Sequence, residues 1–187
     1  MNANALSTLV SAVRSELSDV TQQAANEFDS LRPVRPLLER RCVSVDNALF
    51  RLWEASGLSK SGAALIAVGG YGRGELFPSS DVDILILLDD PSGAEDTQLS
   101  AFIGALWDLG LKIGHSVRTV YECRELATTD ITVMTTLLET RLLAGPDTLY
   151  RQLLSAVNDD RLWTSGAFFQ AKVNEQIERH KKFGLTG

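Results

Sequence analysis

The 187-residue sequence has only two cysteines and two histidines, and it has no long apolar run. Its two cysteines, Cys42 and Cys123, lack the spacing of metal ligands, and we interpret both as buried or inert thiols. The two histidines, His115 and His180, do not cluster with them. No apolar run approaches ~18 residues, and no basic–apolar–small pattern opens the chain. We therefore expect a cytoplasmic protein without a membrane partner.

A surplus of positive charge is also absent. The formal net charge is −6, from 24 acidic and 18 basic residues. Proteins that bind nucleic acid over an extended surface usually carry a basic surplus, so a nucleic-acid partner is disfavoured. The hydrophobic fraction of 44% is sufficient for a real core in a soluble globular protein.

Apolar periodicity predicts helices towards both ends of the chain and short strands between them. The predicted helices cover residues 4–29, 36–55, 95–109, 147–157 and 163–183, and the pattern is also helical from residue 120 onward, with 131–143 as its most apolar stretch. The predicted strands cover 63–68, 83–88 and 111–119. These elements indicate an α+β protein. We divide it into an N-terminal helical segment over 1–60, a core over 61–145 and a C-terminal helical segment over 146–187.

Residues 68–83 read VGGYGRGELFPSSDVD and contain four glycines, Gly69, Gly70, Gly72 and Gly74. Such a turn can expose backbone N–H groups that bind an anion. The spacing G-G-x-G-x-G matches neither the Walker pattern nor the dinucleotide fingerprint. Taken alone, the glycines are equally compatible with a structural turn.

Two carboxylates follow at the mouth of a predicted strand. Side chains alternate along a strand, so Asp81 and Asp83 point to one side while Val82 points to the other. Two like charges this close raise each other's pKa unless a cation lies between them. Mg²⁺ suits the pair because it takes oxygen ligands and is often shared with substrate phosphates. The alternative is a solvated strand end.

Together, these two features resemble a known signature. The pattern of Gly69-Gly70, ten residues and then Asp81-Val82-Asp83 resembles that of the nucleotidyltransferase superfamily that includes DNA polymerase beta. The longer stretch AVGGYGRGELFPSSDVDILIL, with GLKIGHSVRTVYEC and DITVMTTLLETRLLAG downstream, is similar to the bacterial PII uridylyltransferase/uridylyl-removing enzymes. The R-V-D-x-R-L-R-P block of the glutamine synthetase adenylyltransferases is not found.

The resemblance implies the nucleotidyltransferase fold, a small mixed sheet flanked by helices with helical extensions at both ends. It also implies Mg²⁺-dependent transfer of UMP from UTP to a tyrosine of the PII nitrogen-regulatory protein, with release of pyrophosphate. Family members continue into an HD phosphohydrolase domain and two ACT domains, which this sequence does not show. We expect a transferase piece with weak activity and with neither de-uridylylation nor glutamine sensing.

The resemblance also suggests roles for individual residues. Asp81 and Asp83 would be the catalytic carboxylates and the Mg²⁺ ligands. The turn at Gly69 and Gly70 would hold the triphosphate with backbone N–H groups. Ser80, just before the first acid, would donate a hydrogen bond to a phosphate oxygen.

Several arginines have both a functional and a structural interpretation. Arg73 is either a phosphate clamp or the partner of Glu75 in a salt bridge. For Arg118 we favour an ion pair over a nucleotide contact. Glu139 and Arg141, two residues apart in a predicted helix, do not face one another, and we expect them to pair with other elements.

The superfamily usually has a third carboxylate on a later strand, and the predicted strand over 111–119 contains none. Glu122 and Asp130 are the acidic alternatives nearby. His115 is either a base or a structural histidine, and we favour the second. The missing acid keeps a second class of function open, that of a catalytically silent nucleotide-binding regulatory module. A separate alternative is a nucleotidyltransferase with another protein acceptor.

Overall fold

The computed structural model describes residues 3–28, 34–159 and 162–183. The helices are α1 (Ala3–Phe28), α2 (Val34–Ser56), α3 (Gly69–Gly72), α4 (Thr97–Asp108), α5 (Val120–Thr129), α6 (Ile131–Leu138), α7 (Asp147–Val157) and α8 (Ser165–Phe183). The strands are β1 (Ala64–Val68), β2 (Val82–Leu88), β3 (Ile113–Thr119) and β4 (Thr140–Ala144). None of these helices combines the length and the apolar character that a membrane crossing requires.

The four strands form one mixed sheet in the order β3-β2-β1-β4. Strand β1 is antiparallel to both β2 and β4, whereas β2 and β3 are parallel. A parallel pair needs a crossover connection, which α4 supplies between β2 and β3. The predicted α+β class, with a small mixed sheet flanked by helices, is confirmed.

The two central strands are buried on both faces, which explains their nearly continuous apolar sequences. One face packs against α1, α2 and α4, where the rings of Trp53 and Phe102 meet edge-on at 5.3 Å. The other face packs against α5, α6 and α7. The first face carries Leu65, Ala67, Val82, Ile84 and Ile86, and the second carries Ala64, Ile66, Val68, Leu85 and Leu87.

Polar side chains determine where three of the helices begin. Asp96 accepts a hydrogen bond from the backbone N–H of Gln98 at the start of α4. Thr119 and Glu122 form a reciprocal capping box at the start of α5. Asp130 caps α6. Each side chain satisfies an N–H group that has no partner within its helix.

The prediction of one helix over 131–143 is wrong in its second half. Helix α6 ends at Leu138, and β4 then pairs with β1, with Thr140 opposite Val68 and Arg141 opposite Ala67. Short apolar runs do not distinguish a helix from a strand, and the open edge of β1 decides this case. Gly145 lets the chain leave β4, because a Cβ there would lie 2.4 Å from the carbonyl oxygen of Ala63.

The remaining predicted elements are present, with ends that differ by no more than two residues wherever the structure describes them. The predicted last residue of the first helix, residue 29, lies outside the described residues. The boundaries at residues 60 and 145 stay predictions. Helices α1 and α2 nevertheless share their apolar cluster with the sheet, so the N-terminal helical segment is part of the same core.

Candidate active site

The predicted glycine turn lies directly after β1 and forms the single helical turn α3. Gly69 has φ of 59°, a left-handed conformation that favours glycine. The N–H groups of Arg73 and Glu75 donate to the carbonyl oxygens of Gly69 and Gly70, each at 3.1 Å. The N–H groups of Gly69 and Gly70 come first in the turn and therefore have no acceptor within it.

Two glycines of this segment serve different purposes. A Cβ at position 72 would lie 2.1 Å from the carbonyl oxygen of Glu139, so Gly72 is required for β4 to approach the turn. A Cβ at position 70 would meet only ordinary contacts, Nη2 of Arg73 at 3.7 Å and the carbonyl oxygen of Glu75 at 3.8 Å. Packing therefore does not require glycine at position 70, and its role in binding a ligand stays a prediction.

The two predicted carboxylates lie at the start of β2. Asp83 belongs to the strand face of Leu85 and Leu87, which packs against α5, α6 and α7, and Asp81 precedes it by two residues. Partial burial, and then the negative charge of Asp81, raise the pKa of Asp83. A cation between the two carboxylates would remove this repulsion.

Asp83 lines a cleft of about 320 Å³, which we call the carboxylate cleft. Its walls come from β2, β3 and α6 and include Gly114, Arg118, Asp130 and Thr136. Gly114 pairs with Asp83, and a Cβ at position 114 would lie 2.3 Å from Oδ1 of Asp83. The absence of that side chain leaves room for the carboxylate. The cleft borders the glycine turn, since a Cβ at position 69 would lie 3.9 Å from Cγ2 of Thr136.

Arg118 is the cationic residue in this cleft, and our reading of the sequence ranked a nucleotide contact for it below an ion pair. It lies two strand positions beyond Ser116 and shares the face of Gly114 and Asp83. No carboxylate among the described residues lies within 4.0 Å of its guanidinium, although the charge of Arg118 contributes, after the hydrogen bonds from Thr119, to the lowered pKa of Glu122. The two-residue alternation from Gly114 is the signal that identifies Arg118.

Of the two alternative acids, only Asp130 lines the carboxylate cleft. Its Oδ1 accepts hydrogen bonds from the N–H groups of Thr132 and Val133, at 2.7 Å and 3.3 Å. Glu122 is instead used by its capping box, in which hydrogen bonds from the backbone and side chain of Thr119 lower its pKa.

His115 lies on the opposite face of β3 from Gly114. It pairs with Ile84, and its ring centroid lies 6.4 Å from that of Trp107 in α4. Residue 115 is exposed and also borders the carboxylate cleft, so both interpretations of His115 stay predictions. Ser116 occupies the strand position on the Asp83 face where a third acid would fit.

Within the part of the chain that the structure describes, no group of three or more histidine, cysteine, aspartate or glutamate side chains is placed to hold a metal. Two carboxylates suffice for an ion whose other ligands are water and substrate phosphates, which is the usual environment of Mg²⁺. Asp81 and Asp83 therefore fit a Mg²⁺ ion that is shared with a nucleotide.

Two other predicted residues lie outside this arrangement. Ser80 lines a different cleft together with Val82, on the α1–α2 side of the sheet. Arg73 forms salt bridges with Glu139 and with Glu75, the latter at 3.2 Å, as its structural interpretation predicts. Both roles in phosphate binding stay predictions.

A polar cluster that the sequence did not predict holds the glycine turn in place. Arg141 on β4 donates two hydrogen bonds to Asp46 on α2, at 2.7 Å and 3.1 Å, and the hydroxyl of Tyr71 donates to the same carboxylate at 2.6 Å. The guanidinium also lies 5.5 Å from the centre of the Tyr71 ring. Burial, together with the negative charge of Asp46, raises the pKa of Tyr71. These contacts join α2, the turn and β4, and they give Arg141 the partner on another element that we expected.

Comparison with known proteins agrees with this geometry. Residues 52–134 match the family described as nucleotidyltransferase domain. Relatives named "Bifunctional uridylyltransferase/uridylyl-removing enzyme" include those of Chromobacterium violaceum, 49% identical over 92% of this chain, and Methylococcus capsulatus, 44% identical over 95%. The relative from Pseudomonas aeruginosa is 41% identical over 96% of the chain.

The chain covers 20% of the length of each of these relatives. The match therefore concerns one part of a longer type of protein, and it includes both the glycine turn and the two carboxylates. On this evidence, the chain belongs to the nucleotidyltransferase domains of the bifunctional uridylyltransferase/uridylyl-removing enzyme family.

Proposed function

We propose that this domain transfers UMP from UTP to a tyrosine of the PII nitrogen-regulatory protein and releases pyrophosphate, in a reaction that depends on Mg²⁺. The observation that carries the proposal is the position of Asp83, which lines a cleft beside the glycine turn and has Asp81 two residues away. The names of the relatives support uridylyl transfer in particular.

In this proposal Asp81 and Asp83 hold the Mg²⁺ ion. When bound, the ion neutralises charge on the triphosphate and on the leaving pyrophosphate. The amides of Gly69 and Gly70 bind phosphate oxygens at the other side of the cleft. Arg118, which has no carboxylate partner among the described residues, contributes a fixed positive charge on the Asp83 face.

The tyrosine oxygen forms a bond to the α-phosphorus of UTP. The bond from this phosphorus to the bridging oxygen breaks, and pyrophosphate leaves with the electron pair. The hydroxyl proton must pass to a base, and we assign this role to the carboxylate of Asp130, which lines the cleft. Oδ1 of Asp130 accepts the two hydrogen bonds that cap α6, so the carboxylate is held at a fixed position.

The test uses purified PII protein, UTP labelled in the uridine and MgCl₂. We expect labelled UMP on PII and an equal amount of pyrophosphate in the presence of the chain. The Asp81→Asn/Asp83→Asn double variant should retain its fold and lose the transfer. Transfer at the wild-type rate by this variant would overturn the mechanism.

A binding measurement on this domain accompanies the transfer assay. It is needed because the relatives are about five times longer than this chain, so transfer can require parts that the chain does not contain. UTP with Mg²⁺ should raise the melting temperature of the wild-type chain, since a ligand that binds only the folded state stabilises it. The double variant should show a clearly smaller increase, and Mg²⁺ should no longer add to it.

The absence of a third acid on β3 favours one alternative, a nucleotide-binding regulatory module without catalysis. That module would bind UTP with Mg²⁺ and release no pyrophosphate when PII is present. Pyrophosphate release with UMP on a different protein would instead indicate another acceptor.

A further inference from the structure

A second cleft lies on the opposite side of β2 from Asp83. It has a volume of about 570 Å³ and lies between α1, α2, residues 78–80 and residues 109–112. Three basic residues line it, Arg14, Arg41 and Lys112. We call it the cationic cleft.

In the part of the chain that the structure describes, no acid forms a salt bridge with these three residues. No carboxylate among the described residues lies within 4.0 Å of the side-chain nitrogens of Arg14, Arg41 or Lys112. The whole chain has a formal charge of −6, so three cations without an acid run against its composition. The other polar side chains of the lining are hydroxyls and an amide, from Ser18, Thr21, Gln22, Ser79 and Ser80.

Arg41 is buried in this wall, with 7% of its surface exposed. Its Nη1 donates to Oγ1 of Thr21 at 2.8 Å, and its Nη2 donates to the carbonyl oxygen of Pro78 at 3.3 Å. Its Nε is buried and has no hydrogen-bond partner. A buried cation that has only neutral partners and an unused donor is costly, and a bound anion would remove that cost.

The surrounding backbone makes room for the cations. Gly110 has φ of 74°, and a Cβ there would lie 3.3 Å from Nε of Arg14. The backbone N–H of Val82 donates to the carbonyl oxygen of Lys112 at 2.8 Å, which fixes the residue beside β2. The three positive charges thus come from different elements of the folded core.

We propose that the cationic cleft binds a small polyanion with at least two negative charges, carried by phosphate or carboxylate groups. The volume is that of a small-molecule site rather than of a macromolecular groove. The alternation along β2 separates the site from the carboxylate cleft, because Val82 faces one and Asp83 the other. The proposal is therefore independent of the proposed transfer reaction.

The test is calorimetric titration of the chain with pyrophosphate and, separately, with citrate, in a metal-free buffer that contains no divalent cation and no carboxylate chelator. We expect one molecule to bind per chain. Lys112→Gln and Arg14→Gln should each weaken binding by roughly tenfold, because each removes one charge-assisted contact. Both side chains are exposed, so the fold should be retained even if Arg41→Met fails to fold.

Lys60→Gln, which removes an exposed lysine outside the cleft, is the matched control and should leave the affinity unchanged. Binding of pyrophosphate alone would identify a phosphate site, and binding of citrate alone a carboxylate site. If neither anion binds, or if Lys60→Gln weakens binding as much as Lys112→Gln, the proposal is wrong. The Asp81→Asn/Asp83→Asn variant should bind as the wild type does, which distinguishes this site from the proposed active site.

Discussion

Gly114 on β3 lies directly opposite Asp83 on β2, and its hydrogen atom occupies the space where any side chain would meet Oδ1 of that carboxylate at 2.3 Å. The contact would be with the far end of a side chain and not with the backbone. The fold can therefore accept a methyl group at position 114 if Asp83 rotates away.

Gly114→Ala should thus separate stability from metal binding. We expect the melting temperature to fall by no more than about 2–4 °C, equivalent to ~1 kcal/mol, because only the Asp83 side chain must move. The affinity for UTP with Mg²⁺ should fall by roughly tenfold, because the carboxylate leaves its position. Thermal unfolding and nucleotide titration measure the two effects.

Gly104→Ala is the control for this substitution, since a Cβ at position 104 in α4 would meet nothing within 4 Å. That variant should be as stable as the wild type or more so, because alanine favours a helix more than glycine does. Equal nucleotide affinity in the Gly114→Ala and Gly104→Ala variants would contradict the role of Gly114.

Asp83→Asn should stabilise the domain while removing its metal site. The folded-state pKa of Asp83 is raised above the unfolded value of about 3.9, so the folded state binds the proton more tightly. Stability is therefore lost as the pH rises through the interval between these two pKa values, and the loss remains at pH 7. The amide removes this penalty.

The gain at pH 7 should be small, roughly 0.5 kcal/mol or about 1–2 °C, because Asp83 is only partly buried and solvent screens its charge. It should vanish at a pH below both pKa values. Asp89→Asn, at an exposed carboxylate just after the same strand, is the control. A lower melting temperature for Asp83→Asn than for Asp89→Asn would contradict the sign.

Asp130→Asn tests the proposed base without disturbing the helix cap. Asparagine caps a helix about as well as aspartate, so the melting temperature should not change. The transfer rate should fall by roughly 10²–10⁴-fold, the usual contribution of a general base. A wild-type rate with UTP and PII would exclude Asp130 from that role, and Asp130→Ala would show the separate cost of losing the cap, about 1 kcal/mol.

Gly70→Ala and Gly72→Ala should fail in different ways. The added Cβ at position 70 makes only ordinary contacts, so we expect an intact fold and at least a several-fold loss of UTP affinity, because the side chain intrudes on the phosphate site. The Cβ at position 72 meets the backbone of Glu139 at 2.1 Å, which predicts a loss of about 2–3 kcal/mol in the free energy of unfolding. Chemical denaturation and UTP titration distinguish the two. Wild-type UTP affinity in Gly70→Ala would argue against the triphosphate site.

Local patterns in the sequence predict the half of the site that lies along β1 and β2. The apolar runs, the glycines and the i, i+2 spacing of Asp81 and Asp83 are properties of neighbouring residues. The alternation of side chains along the chain also places Ser80 on the side of Val82. The sequence could therefore have predicted that Ser80 lies apart from the two carboxylates. The position of Arg118 on the Asp83 face could also be predicted once the pairing of β3 with β2 is known.

Contacts between distant segments are not visible in such patterns. Whether residues 140–144 form a helix or a strand depends on the free edge of β1, which no local feature of TRLLA reveals. The bonds from Arg141 to Asp46 join residues 95 positions apart. The cationic cleft likewise combines residues from the first two helices, α1 and α2, and from the turn before β3, and only the folded chain brings their charges together.

The carboxylate of Asp46 bears on where the folded unit around the glycine turn begins. The matched family region begins at residue 52, within α2 and after Asp46. A segment cut at that boundary would inherit Tyr71 and Arg141 without the acceptor that both use. The folded unit that keeps these contacts therefore begins upstream of residue 52 and includes Asp46.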